Sequence, residues 1–285
     1  MPFLLTPKLM PNSSKRFLVV ARVGDRSLHR HWLAGSERNF DLYLSYYGSE
    51  TGKFSSDAEH WRERKGPKWP ILAEHIREDA EIFERYDAIW LPDDDLLIDA
   101  NAISRMFDFF SLFELSLGQP ALSLNSYYSH AVLLRDARYL VRYTNFVEVM
   151  APILSRASLQ LLSPTFAQSR IGWGLDYLWP YLLERSDIKG RIGVIDAVQI
   201  VHTRPAGGGD LYKLDPSKSP EADMASLRLL YPEARIEHAF QTAKLGIYGG
   251  VRQEISSNGM MAKIRARLYR RIANFKASQS QKYKS

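Results

Sequence analysis

The chain has 285 residues, 45% hydrophobic and 25% charged, with no cysteine and a formal net charge of +6. That length and composition suit one large globular domain or one and a half, with a full core. The missing thiols exclude disulfides, thiolate metal sites and a cysteine nucleophile, and make a reducing, cytoplasmic setting the default expectation.

The opening MPFLLTPKLMPNSSKRF has prolines at 2, 7 and 11 and no charged start before a long apolar stretch, so no signal peptide is expected. No later apolar run approaches the roughly 20 residues of a membrane span. RFLVVARVG (16–24) and FDLYLSYYG (40–48) read as strands stopped by glycine, with a short helix in DRSLHRHWLAGS between them. In WPILAEHIREDAEIFERY (69–86) apolar residues recur near helical spacing, and DAIWL follows as a strand. A helix is expected over about 101–117, then a strand in PALSLNS. FVEVMAPILSRASLQLL (146–162) joins a strand-like start to a helix, and GWGLDYLWPYLLER (172–185) is a helix after a Gly-Trp-Gly turn. GRIGVIDAVQIVHTRP (190–205) holds one or two strands separated near Asp196. Alternating strands and helices predict an α/β sandwich with a mostly parallel sheet. AGGGD (206–210) breaks any regular element, since three glycines cost too much entropy inside one.

Three aspartates, Asp93, Asp94 and Asp95, follow the strand around residue 90. In an extended segment Asp93 and Asp95 share a face and Asp94 points away. At the carboxyl end of a parallel strand, where open α/β sheets bind ligands, such a pair suits Mn²⁺ or Mg²⁺ and a diphosphate. An acidic turn, with Asp99 capping the next helix, is the plainer alternative.

The blocks YDAIWLPDDDL, FVEVMAPILSRASL, GWGLDYLW and GVIDAVQIVH occur in an order and at spacings that resemble the domain-of-unknown-function family 707, grouped with nucleotide-sugar glycosyltransferases of the GT-A fold. The resemblance spans roughly residues 16–205 and implies a GT-A-like, Rossmann-type sandwich, expected as a domain over residues 14–250 with a basic amphipathic helix and a disordered tail in 251–285 beyond it. It implies a metal-dependent enzyme moving a sugar from a nucleoside diphosphate donor to a hydroxyl acceptor. Asp93 and Asp95 match the family's acidic triplet, and Asp94, between them, falls on the nucleotide side. His202 resembles the late histidine that completes the metal site, and Asp196 belongs either to that shell or to a turn. Asp176 matches the general base of inverting members, a carboxylate whose pKa tryptophan neighbours would raise; a helix-start aspartate favoured by the dipole is the alternative.

Other residues take supporting roles. Arg22, Gly24 and Asp25 end the first strand, where Gly24 permits close approach, Arg22 suits phosphate and Asp25 suits a base or ribose. Lys65 and Lys68 suit a diphosphate, and Lys213 a loop closing over it. Trp173 offers a flat face to an acceptor sugar, whereas Trp179 fits the core better. Glu148, an acid between apolar residues, either binds acceptor hydroxyls or pairs with a buried arginine.

The positive charge sits at the end of the chain. From Arg252 on, nine basic residues face one acid, a balance of +8 that leaves residues 1–251 at −2, so no nucleic-acid face is indicated. GMMAKIRARLYRRIANF (259–275) has the spacing of a basic amphipathic helix, which either lies on an anionic bilayer near a glycan or lipid-linked acceptor, at its inner face, or docks on the body. Two rival readings remain: a noncatalytic glycan- or nucleotide-binding protein of the same fold, and a metal-dependent phosphotransferase or hydrolase.

Overall fold

The computed structural model describes residues 15–35, 38–205, 219–236 and 245–253. Lys213 and the basic tail beyond 253 lie outside them. Ten strands are present among the described residues: β1 (Phe17–Val23), β2 (Phe40–Tyr46), β3 (His60–Glu63), β4 (Ala88–Trp90), β5 (Leu96–Leu97), β6 (Leu115–Leu122), β7 (Tyr139–Thr144), β8 (Ile153–Ser155), β9 (Arg191–His202) and β10 (Ile247–Arg252). The helices are α1 (Lys68–Glu78), α2 (Ala80–Phe83), α3 (Ala100–Leu112), α4 (Arg156–Leu162), α5 (Leu175–Glu184) and α6 (Pro220–Leu230).

The sheet runs in the order β10-β7-β9-β6-β8-β4-β1-β2-β3, with β5 paired to β9 at one side. On this path β7 and β8 alone run against the rest, so the sheet is mostly parallel, as expected. Every residue of β1 and β2 is buried. Such strands read as continuous apolar runs because helices cover both faces. Side chains of β1 alternate between two cores: Phe17, Val19, Ala21 and Val23 pack with α3 residues Ile103, Met106, Phe107 and Phe110. Leu18 and Val20 pack with Trp69 and Leu72 of α1, Leu159 of α4 and Leu178 and Trp179 of α5. This two-faced burial, worth roughly 1.5–3 kcal/mol per large side chain, makes the chain an α/β sandwich.

Several boundaries differ from expectation. The helix expected to reach 117 ends at Leu112, and β6 begins at Leu115. Glu114 adopts a left-handed φ of 50° that turns the chain from α3 into β6. The segment after Ser27 is a 3₁₀ turn over His29–Leu33. Asp99 caps α3 by accepting from the Ala102 amide at 2.8 Å. Only one strand spans 191–202, but its register against β6 slips between Pro120 and Ala121, whose partners are Ile195 and Gln199. Asp196 sits at that irregularity.

Candidate active site

The carboxyl ends of β1, β4 and β9 come together at one edge of the sheet. The Gly24 amide after β1 donates to Asp94 Oδ2 at 2.8 Å, and the Asp95 carbonyl accepts from the Thr203 amide at 3.2 Å. The segment 149–152 lies alongside, accepting at Met150 from the Asp93 amide and at Pro152 from the Leu91 amide. The acidic triplet is therefore pinned by backbone bonds from three directions.

Its three carboxylates take three different partners. Asp93 Oδ1 receives Lys68 Nζ at 2.6 Å, and the same ammonium donates to the carbonyls of Leu91 and Val149. Asp94 is buried and faces Arg204 Nη1 at 3.6 Å. Burial pushes its pKa up to about 6 against the pull of the Gly24 amide and Arg204. Asp95 Oδ2 lies 3.5 Å from His202 Nε2, while Oδ1 is buried with no hydrogen-bond partner. His202 Nδ1 lies 3.1 Å from the Tyr127 carbonyl, so Nδ1 carries the proton and Nε2 turns toward Asp95. Burial would lower the imidazole's pKa, but the Asp95 hydrogen bond and charge, with Asp93 behind them, carry it above its ordinary value.

A lone pair on Nε2 facing a carboxylate is unfavourable unless a proton or a metal cation sits between them. Together with the orphaned Asp95 Oδ1, this is a donor set of carboxylate oxygen and imidazole nitrogen that fits Mn²⁺ or Mg²⁺. Asp93 is held off by Lys68, and among the described residues no three acidic or histidine side chains already converge as a cage.

Behind this edge stand two further acids. Glu148 Oε2 and Asp176 Oδ1 are both shielded from water and both lack partners. Each residue is only partly buried as a whole, so it is the individual oxygens that are withdrawn. Burial, helped by the charge of Glu148, pushes the Asp176 pKa up to about 8 against backbone donors at the start of α5. Burial likewise raises Glu148 to about 7, with His202 opposing and Asp93 adding to the rise. The two carboxyls thus feel each other, and Glu148 links Asp176 electrostatically to His202 and Asp93. Asp176 occupies the first turn of α5 because Gly172 and Gly174 both take left-handed φ, 94° and 93°. Those positions admit only glycine comfortably, and a Cβ at Gly172 would lie 2.3 Å from Trp69 Nε1. Trp173, between them, is partly buried. Trp179 is core, donating from Nε1 to Thr165 Oγ1 at 3.0 Å.

Other predicted site residues are spent inside the protein. Arg22 gives Nη1 to Ser45 Oγ and the Arg64 carbonyl and Nη2 to the Gly66 carbonyl, so it holds the loop before α1 instead of facing phosphate. Asp25 accepts from the Tyr46 hydroxyl, from the Ser49 amide and hydroxyl and from Lys53, which binds the loop after β2 and depresses its pKa. Lys65 donates to the Tyr47 and Gly48 carbonyls. Asp196 leaves the site altogether: Arg142 grips it through Nε at 2.6 Å and Nη2 at 2.8 Å in a buried pair. That arginine serves Asp196 and not Glu148. Gly24 does permit close approach, but to Tyr47, whose ring would lie 2.9 Å from a Cβ there.

Two residues at this edge were missed. Tyr47 is 40% exposed, its pKa is raised by the burial of its hydroxyl and then by the charges of Asp94 and Asp93, and its ring centre lies 5.3 Å from Arg22 Cζ. Arg204 also donates to the Arg26 carbonyl at 2.6 Å. The available signal was spacing, since Arg204 follows His202 by two residues.

Residues 136–229 match the model of the family described as Protein of unknown function (DUF707). The expected resemblance is met over that stretch, which contains Glu148, Asp176 and His202 but stops short of the acidic triplet. No curated protein matches the chain in sequence. Among solved structures, S. aureus TarS aligns with a TM-score of 0.49 at 10% identity over 81% of this chain and 40% of its own. GalNAc-T7, solved with UDP, GalNAc and Mn²⁺, aligns with a TM-score of 0.52 at 11% identity over 77% of this chain and 49% of its own. The chain spans less than half the length of either. The GalNAc-T7 likeness is one of fold, and the fold is GT-A-like.

Proposed function

We propose that the protein is a glycosyltransferase that moves a sugar from a nucleoside diphosphate donor to a hydroxyl of a glycan or lipid-linked acceptor, as in surface-polysaccharide synthesis. The observation that carries this reading is the meeting, at the carboxyl edge of a GT-A-like sheet, of the Asp95–His202 pair with the carboxyls of Glu148 and Asp176, each of which keeps one shielded oxygen without a partner. Buried polar atoms are almost always satisfied in a folded chain. The unanswered oxygen on each of these two neighbouring acids is therefore capacity for a bond to something outside the chain.

Asp95 and His202 would hold the divalent ion, with Asp93 joining if Lys68 lets go. A bound ion supplies Lewis-acid stabilisation of the charge that develops on a departing diphosphate. Arg204 and Lys68 add fixed positive charge at the same edge, and Asp94 with the Gly24 amide fixes the floor beneath the nucleotide. Asp176 takes the proton from the acceptor hydroxyl, which puts the base opposite the leaving group and predicts inversion at the anomeric carbon. Its raised pKa makes it a competent base at mildly alkaline pH, since a base works best when its pKa lies near that of the medium. Glu148 holds acceptor hydroxyls beside it. Trp173 stacks on the acceptor ring.

One observation favours a second reading within the same chemistry. Lys68 already neutralises Asp93, so a site that works without a divalent ion would use Lys68 and Arg204 against the diphosphate.

A thermal-shift and calorimetric screen of nucleoside diphosphates and their sugars, with and without Mn²⁺, tests both. Metal-assisted binding of one donor, retained in Asp176→Asn while turnover falls by about 10²–10⁴-fold, is the expected result. Binding without turnover in the unaltered protein leaves a noncatalytic module. Release of inorganic phosphate or nucleoside monophosphate, with no glycosylated product, makes it a hydrolase. No helix among the described residues is long and apolar enough to cross a membrane; the proposed cytoplasmic setting and the contact of the basic tail with an inner membrane face are tested by vesicle co-sedimentation.

A further inference from the structure

The turn that presents Asp176 is held by a residue from a distant helix. Asp223, in the first turn of α6, is buried and takes Ser169 Oγ at 2.6 Å and the amides of Arg170, Ile171 and Gly172 at 2.8, 2.9 and 3.1 Å. Ser169 Oγ in turn accepts from the Gly172 amide at 2.9 Å. Successive backbone N–H groups converging in this way form an anion-binding nest, and here the anion is the protein's own carboxylate. Independently, α6 and the residues after it close on the next glycine: a Cβ at Gly174 would meet Leu227 Cδ1 at 3.1 Å, Met224 Cγ at 3.3 Å and Ile236 Cγ2 at 3.4 Å.

We infer that Asp223 is a positioning residue for Asp176, acting through the 169–174 turn to set where the first turn of α5 aims its carboxyl. The reason is geometric. Two left-handed glycines, Gly172 and Gly174, flank Trp173 and have no side chains of their own to hold them, and the helix that begins at Leu175 inherits whatever direction the turn takes. Gly174 caps α5, its carbonyl accepting from the Tyr177 and Leu178 amides at 3.2 and 2.9 Å. A carboxylate fixing the three amides just before that cap fixes the helix start. Replacing one Asp223 oxygen by an amide nitrogen sets donor against donor in the nest and releases the turn.

The role rests on the reading of Asp176 as the base, so its test has a readout that does not need turnover. In full-length protein carrying ¹³C-carboxyl aspartate, the Asp176 resonance is assigned by its loss in Asp176→Asn and titrated in Asp223→Asn. The titration midpoint is expected to fall by at least one pH unit toward the ordinary carboxyl range as the loosened turn admits water. In the transferase assay, kcat should drop tenfold or more with the donor KM within twofold. An unchanged midpoint, or a donor KM that rises while kcat holds, overturns the inference. If the unaltered protein transfers no sugar, the transferase reading fails, and the carbon titration alone decides the role of Asp223. Should Asp223→Asn not fold, Ser169→Ala removes one donor from the same nest; a smaller shift in the same direction supports the inference and none overturns it.

Discussion

Two acidic regions with shielded oxygens, one on β9 at Asp196 and one formed by Glu148 and by Asp176 at the start of α5, are built on opposite terms. Around Asp196 every polar atom is answered: Arg142 Nε and Nη2 take both carboxylate oxygens, the Asp136 amide donates to Oδ1 at 2.7 Å, and Arg142 also reaches the carbonyls of Val132 and Leu134. Around Asp176 and Glu148 each acid keeps a shielded oxygen with nothing to bind. The first arrangement bridges the irregularity in β9. The second leaves charge capacity unanswered where substrate chemistry would need it. Burial raises the pKa in both, to about 6 for Asp196 and about 8 for Asp176, so a raised pKa alone does not separate structure from function; the partners do.

The strongest way to break this comparison is to unbalance the satisfied region. Asp196→Ala leaves the Arg142 guanidinium buried and unpaired, a situation that typically costs about 3–5 kcal/mol. Urea unfolding should show that loss, whereas the joint change Arg142→Met with Asp196→Leu should recover most of it, because an apolar pair of similar volume tolerates burial. A loss below about 1 kcal/mol in the single variant would mean that the fork is not what holds the bulge.

A smaller effect of opposite character is expected at the orphaned acids. Asp176 keeps its proton in the folded chain to about pH 8, whereas an unfolded chain gives it up in the ordinary carboxyl range. A group raised in this way contributes stability that is fully present at acid pH and lost as pH climbs through the folded value. Glu148, at about 7, has the same sign. Thermal stability should therefore fall between pH 5 and 8.5, and Asp176→Asn should remove a share on the order of 1–3 kcal/mol. Parallel pH profiles for the two proteins would place Asp176 in water and remove the contrast with Asp196.

The central strands were legible because burial on both faces demands unbroken apolar runs, as in FLVVARV of β1. Edge strands carry no such demand. HWRE of β3 has no buried residue and IYGGVR of β10 is largely exposed, so neither shows a period-2 or all-apolar pattern to read. The strand β6 was hidden at its start because Leu115 and Leu117 continue the apolar spacing of α3 past Glu114, and the left-handed turn at Glu114 that ends the helical path leaves no mark in that spacing. At the site, residue types were readable and allegiances were not. Asp93, Asp95, Asp176 and His202 could be picked out with the help of four ordered blocks, yet nothing local says that Asp93 belongs to Lys68, 25 positions away, or Asp25 to a loop beyond β2. Asp223 lay 51 residues from the glycine it holds. Partnerships across such distances come from the sheet order, which a linear pattern does not contain.

The finest division in the comparison runs through Asp93, which stands between the two kinds of region. Lys68 satisfies it, but Asp93 keeps 40% side-chain exposure, so water can replace the ammonium cheaply. Lys68→Met removes that ion pair and two donations to the Leu91 and Val149 carbonyls. Since the pair is partly solvated, the stability cost should be only about 1 kcal/mol. The ligand response separates the two proposed modes more sharply than stability does. If a divalent ion belongs at this edge, freeing Asp93 adds a third anionic or imidazole ligand to Asp95 and His202, and calorimetry should record tighter Mn²⁺ uptake by the variant. If Lys68 is itself the cation that meets the diphosphate, Mn²⁺ uptake stays unchanged and nucleoside diphosphate binding weakens by about tenfold, the loss expected for one charge-assisted contact of roughly 1.4 kcal/mol. The two modes predict changes in different ligands, so a single substitution titrated with each in turn decides whether Asp93 is an answered acid or one held in reserve.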